Sequence, residues 1–228
     1  MDIFKKLKDI FRNPQADAER RVDALIAQQC DWFAIESLVF PDKGVGPRMS
    51  AVLHSIIEAK NFKLLTPLVA RAGDWMDLID LVYRPGKFGA VPPTRVQDLE
   101  DIYTALSAAK GHGAKAAKAF VNCVETWACQ RNSEACYDWA VSKPEAGPLQ
   151  ALGLAALADH KIDGNPLAMK IIKTPADIDR AIEAVDWIYS GNASDRYTAL
   201  DNLEDWRKKL EENSKKPPSP PAPGGPKP

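Results

Sequence analysis

Residues Ala24 to Phe40 read ALIAQQCDWFAIESLVF, and 43 residues further on Pro67 to Tyr83 read PLVARAGDWMDLIDLVY. Six positions are identical without a gap: Leu25/Leu68, Ala27/Ala70, Asp31/Asp74, Trp32/Trp75, Leu38/Leu81 and Val39/Val82. Each copy is expected to end one helix near Ala27 or Ala70. Asp31 or Asp74 then caps the next, because a short carboxylate accepts from the unpaired N–H groups of a first helical turn. Trp32 or Trp75 falls in that first turn and is expected to wedge between consecutive helices. Gly73 permits a left-handed corner, whereas Cys30 holds that place in the first copy, where a different turn is expected. Weaker echoes stand at Asn61-Phe62, Asp138-Trp139, Asp186-Trp187 and Asp205-Trp206.

Outward from the repeat the same signals continue. Apolar residues recur at three and four, β-branched residues rarely alternate with polar ones, and the chain therefore reads as all-α. Thr94-Arg95-Val96-Gln97 matches a capping box opening a helix over about 95–110, with Val96, Leu99, Ile102, Tyr103 and Leu106 inward. Thr66-Pro67, Asn165-Pro166 and Thr174-Pro175 each place a capping side chain before a proline pre-set for the first helical position. Gly191 is expected to close the helix that Thr174 opens, and a last helix follows from Ser194 to about Asn213. Breakers at 41–47, 84–87, 91–93 and 163–166 cut the chain into short helices.

A helix-turn-helix unit of this length, repeated, resembles the helical solenoids, with HEAT and armadillo repeats nearest in period. The resemblance covers residues 24–83. It implies a right-handed superhelical array of short antiparallel helical hairpins over 15–213, in which each unit covers its neighbour and a long surface is left for a partner.

The ends read differently. In Met1 to Arg12, Ile3, Phe4, Leu7, Ile10 and Phe11 fall within an arc of about 120° on a helical wheel, with Lys5, Lys6, Lys8, Asp9 and Arg12 opposite. Such a basic amphipathic helix suits three roles: a cap on the end of the array, an anchor in an anionic membrane surface, or a ligand for a partner's groove. From residue 214 to 228 seven of fifteen residues are proline, so this tail is expected to be disordered or polyproline II. Within it Lys215, Pro218 and Pro221 fit a basic residue followed by PxxP, a form that aromatic grooves accept.

Thirty Lys and Arg against 31 Asp and Glu give a net charge of -1. That supplies no field for a polyanion and argues against nucleic acid as a partner. No membrane-spanning run and no signal peptide are read, so a cytoplasmic protein is expected, peripheral at a membrane if residues 1–12 anchor it. Cys30, Cys123, Cys129 and Cys136 match no common zinc spacing and read as reduced thiols, the last three buried. His54, His112 and His160 are isolated. Gly111-His112-Gly113 lacks phosphate-loop spacing and reads as a corner between helices. No catalytic residue, metal or cofactor is assigned. The function expected is non-catalytic protein binding by the array surface, on the face of helices around 47–60 and 95–110. An all-α enzyme with a pocket of distant residues and a structural subunit of a larger assembly are the alternatives.

Overall fold

The computed structural model describes residues 13–72, 95–161 and 165–215. Among these residues all regular structure is helical: eleven α-helices and one 3₁₀ turn. The chain divides into two compact units, Met1–Leu149 and Gln150–Pro228.

In the first unit, α1 (Pro14–Ala27) starts on an Asn-Pro pair that sequence reading did not single out: Asn13 Oδ1 accepts from the N–H groups of Gln15 and Ala16. It ends in a Schellman motif. Gln29 is left-handed (φ 57°), its N–H donates to Ile26 O at 2.9 Å, and the Cys30 N–H donates to Leu25 O at 3.1 Å. The left-handed residue is thus Gln29, one position before Cys30, and the turn of the first copy avoids a left-handed cysteine. Asp31 accepts from the Ala34 N–H at 3.1 Å and opens α2 (Trp32–Val39), which packs on α1. The first copy of the repeat has the expected helix end, cap and first-turn tryptophan.

Trp32 is not a core wedge. The buried stripe of α2 is Ile35 and Val39, and Trp32 stands half-buried at its edge, its ring 6.0 Å from that of Phe40 in an edge contact. Phe33 beside it is 89% exposed. The second copy is described only through Ala72, and its Asp74-Trp75 lies outside the described residues.

The next helix, α3 (Met49–Glu58), packs on α1, and Arg48 at its start donates to both carboxylate oxygens of Glu19, at 2.6 and 3.2 Å. It closes as α1 does: Lys60 is left-handed (φ 53°), and the Asn61 N–H donates to Ile56 O at 3.1 Å. A 3₁₀ turn, Phe62–Leu64, leads directly into α4 (Leu65–Ala72). The 3₁₀ turn starts the helix, so Thr66 does not cap it; its hydroxyl donates instead to Ala105 O at 2.7 Å. That carbonyl belongs to α5 (Val96–Ser107). Thr94 lies outside the described residues, and Gln97 donates forward to Asp101 at 2.9 Å, the same-face neighbour one turn on. Leu99, Ile102 and Leu106 are buried as expected, while Val96 is exposed.

The corner before α6 (Gly113–Arg131) is a close approach between helices. Gly111 is left-handed (φ 78°), and a Cβ on Gly113 would lie 2.3 Å from Ser107 O, a clash with backbone that no side chain avoids. Asn132, left-handed at φ 51°, ends α6; the Ser133 N–H donates to Ala128 O at 2.9 Å, and α7 (Glu134–Val141) follows. The four cysteines are free thiols, with Cys129 and Cys136 buried and Cys30 and Cys123 half-buried.

The second unit holds α8 (Ala151–Ala158), α9 (Pro166–Ile171), α10 (Pro175–Ile188) and α11 (Ala193–Lys215). Asn165 accepts from the Ala168 N–H at 2.8 Å. Thr174 and Asp177 form a reciprocal capping box. The α10–α11 corner does not use a left-handed Gly191. It is closed by bonds from the Tyr189 N–H to Val185 O and from the Asn192 N–H to Tyr189 O. Two ion pairs, Arg196 with Asp186 (2.9 Å) and Arg207 with Asp179 (2.7 Å), fix α10 and α11 antiparallel. The helix α11 runs two residues beyond its expected end. No described helix is long and apolar enough to cross a membrane.

Candidate functional site

The corners at Gln29 and Lys60 stack on each other. The Gln29 side-chain amide donates across to Ala59 O at 2.7 Å, and Asn61 Nδ2 donates back to Cys30 O at 3.3 Å. Helix α5 is drawn against them at both ends: Lys60 Nζ donates to Asp98 Oδ2 at 2.8 Å, and Thr66 bonds Ala105 O. Between these ties lies an open groove of about 550 Å³, within the range of clefts that bind ligands. Gln29, Lys60, Asn61 and Lys63 form one wall, Asp101, Thr104, Ala105 and Ala108 the other, with Phe62 and Thr66 between.

Most polar groups of the groove are bonded within the chain. The Lys60 ammonium is paired and the Thr66 hydroxyl is committed, so neither is an activated nucleophile. Lys63 and Thr104 are exposed, and Lys63 has no ion-pair partner among the described residues. Asn61 is 1% exposed, and its Oδ1 is buried without a partner. The exposed Lys63 ammonium and Thr104 hydroxyl stand beside small apolar patches from Ala105 and Ala108, so the groove joins hydrogen-bonding groups to shallow apolar surface.

A second cluster joins α5 to the end of α7. Glu100 accepts from Trp139 Nε1 at 2.8 Å and from Lys143 Nζ at 2.5 Å. The Lys143 ammonium lies 4.7 Å from the centre of the Tyr103 ring and 5.0 Å from that of Trp139. Lys143, and then the Trp139 N–H, hold the Glu100 carboxyl below its usual range. Burial, and then a hydrogen bond to Glu145, push the Tyr103 phenol up. The cage is filled by the chain's own lysine, so it acts as a clasp between helices. It converts the Asp138-Trp139 echo of the repeat into a different device, which only the tertiary pairing reveals.

Two titratable groups on α6 are buried without such partners. Desolvation pushes Glu125 up to about 7. Burial, and then the Glu125 charge, push the Cys129 thiol up to about 12, which leaves it protonated and unreactive at neutral pH. No group of three metal-ligating side chains occurs among the described residues.

Of the residues expected to contact a membrane or partner, Ile3, Phe4, Lys5, Lys6, Leu7, Lys8, Ile10 and Phe11 lie outside the described residues, as do Pro218 and Pro221. Lys215 is the exposed last residue of α11. The groove takes one wall from the corner that ends the 47–60 segment and the other from the 95–110 helix. Sequence reading missed Gln29, whose side chain reaches a carbonyl 30 positions away, because nothing local marks such a bond. No protein-family model, no curated protein and no solved structure matches the chain.

Proposed function

We propose that the chain is a non-catalytic protein-binding protein, an adaptor, assembly factor or neutraliser, that holds a polypeptide partner in the groove between the stacked corners and α5. The observation that carries this reading is the groove itself: open, of ligand-binding size, and lined by recognition chemistry on rigid helix ends. The 43-residue Asp-Trp repeat and the hydrogen-bonded stacking of the Gln29 and Lys60 corners support a HEAT-like superhelical stack of hairpins, whose regular surfaces serve partners rather than reactions.

Thr104 and Ala108 are both exposed on the α5 wall. Replacing them with Trp is therefore expected to fill the groove without changing the melting temperature, and to remove whichever protein co-purifies with the intact chain. Retention of the same partner by this double variant would overturn the groove as its site. Residues 1–12 provide a second attachment in this reading, with Phe4, Leu7 and Phe11 entering an anionic membrane surface and Lys5, Lys6 and Lys8 meeting its charge. Deleting them is expected to abolish sedimentation with phosphatidylserine liposomes. Failure of the intact chain to sediment rules the membrane role out.

A further inference from the structure

Trp187 near the end of α10 is 73% exposed, and Tyr197 near the start of α11 is 64% exposed. The two ion pairs that set the antiparallel register, Asp186 with Arg196 and Asp179 with Arg207, place Trp187 level with Tyr197. One turn further, on the same faces, Glu183 stands level with Asp201. Both carboxylates are exposed, and neither has an ion-pair partner among the described residues. The second unit therefore presents an aromatic step followed, about 6 Å along the helix axes, by an acidic one.

Aromatic rings beside acids select a polyproline II segment with a basic residue at its end: the rings pack on the prolines and the acids take the cation. This chain carries such a segment. In a polyproline II conformation Lys216 would stand about 6 Å before Pro218, and Pro221, three residues on, would repeat on the same edge as Pro218. These spacings match the step from the acidic pair to the aromatic pair. The segment cannot reach the face of its own molecule in this register. Lys215 is still helical, and fourteen residues of rigid helix hold it about 21 Å from Asp201.

We propose that the face formed by Trp187, Tyr197, Glu183 and Asp201 binds the Lys216-to-Pro221 segment of a second copy of the chain. The contact joins one copy's tail to another's face, so it depends on concentration and weakens with salt.

Sedimentation equilibrium of the full chain over micromolar to millimolar concentrations tests it. The average mass is expected to rise above that of the monomer. Trp187→Ala with Tyr197→Ala should weaken the association at least tenfold, as should Glu183→Lys with Asp201→Lys and, on the tail, Pro218→Ala with Pro221→Ala. All the substituted face residues are exposed, so unchanged far-UV melting establishes that the face variants fold. The aromatic and tail variants, monomeric alone, should form a 1:1 complex when mixed, one supplying the intact tail and the other the intact face. The proposal is overturned by a wild-type chain that stays monomeric to millimolar, by face variants that associate as the wild type does, or by a mixture that forms no complex. It is equally overturned if tail substitution shifts the Trp187 indole resonance of a strictly monomeric chain, which would place the tail on its own face.

Discussion

Replacing Trp206 with Ala is expected to destabilise the Gln150–Pro228 unit by about 3 to 5 kcal/mol, the usual cost of emptying a buried aromatic site. Trp206 is 1% exposed, on an α11 whose other buried residues are only Ala199 and Leu203. One side chain therefore provides most of what this long, charged helix buries. A loss of that size exceeds what capping by Thr174 or Asn165 contributes, about 1 kcal/mol each, and the helix is expected to detach rather than relax. The indole N–H has no partner, a desolvated donor worth about 1 to 3 kcal/mol against the fold. Trp206→Phe, which removes that donor and keeps most of the volume, should therefore cost far less than Trp206→Ala. Hydrogen exchange of α10 and α11 in the two variants checks both parts. Protection in the alanine variant equal to wild type would remove Trp206 from the core.

The same dipeptide shows where sequence reading succeeds and where it stops. Asp31-Trp32 supplies a cap that could be read directly, because capping is settled within four residues of chain. Asn165 and Thr174 were legible for the same reason. Burial of the tryptophan was not legible. Trp32 is half-buried, Trp187 is exposed and Trp206 is enclosed, and each outcome depends on which helix lies opposite. Thr66 carries the same Thr-Pro signal as Thr174, yet its hydroxyl goes to a carbonyl 39 positions away because the 3₁₀ turn before it had already begun the helix. Gly191 failed as a left-handed cap since the short link from α10 to α11 is satisfied by ordinary turn bonds. The helices beside the groove could be anticipated from their caps and breakers. The bonds that stack the corners could not, because they join side-chain amides to carbonyls with no periodic mark.

Raising the pH from about 4.5 through 7 is expected to destabilise the first unit by about 3 kcal/mol through Glu125 alone, and Glu125→Gln should abolish that loss. Positions 124 to 129 of α6 are all buried, enclosing the helix around its whole circumference, and α5 and α7 pack against it. Glu125 is 1% exposed, and its Oε1 has no hydrogen-bond partner. Removal from water penalises the charged carboxylate and leaves the neutral acid favoured. The native group accordingly titrates near 7, against an ordinary value of 4.5. The native state holds its proton over a range where the unfolded chain has released it. The stabilisation is therefore complete below about 4.5 and is lost as pH rises through 7, and a displacement of that extent corresponds to about 3 kcal/mol. Glutamine cannot ionise and keeps the shape, so the difference between wild type and Glu125→Gln isolates this one group from every other titration. Leucine, which also removes the unmatched polar atom, should stabilise further at pH 8. Urea unfolding of the three proteins at pH 4.5, 6 and 8 measures the effect. Parallel curves for wild type and Glu125→Gln would mean that Glu125 is charged and satisfied in the native state.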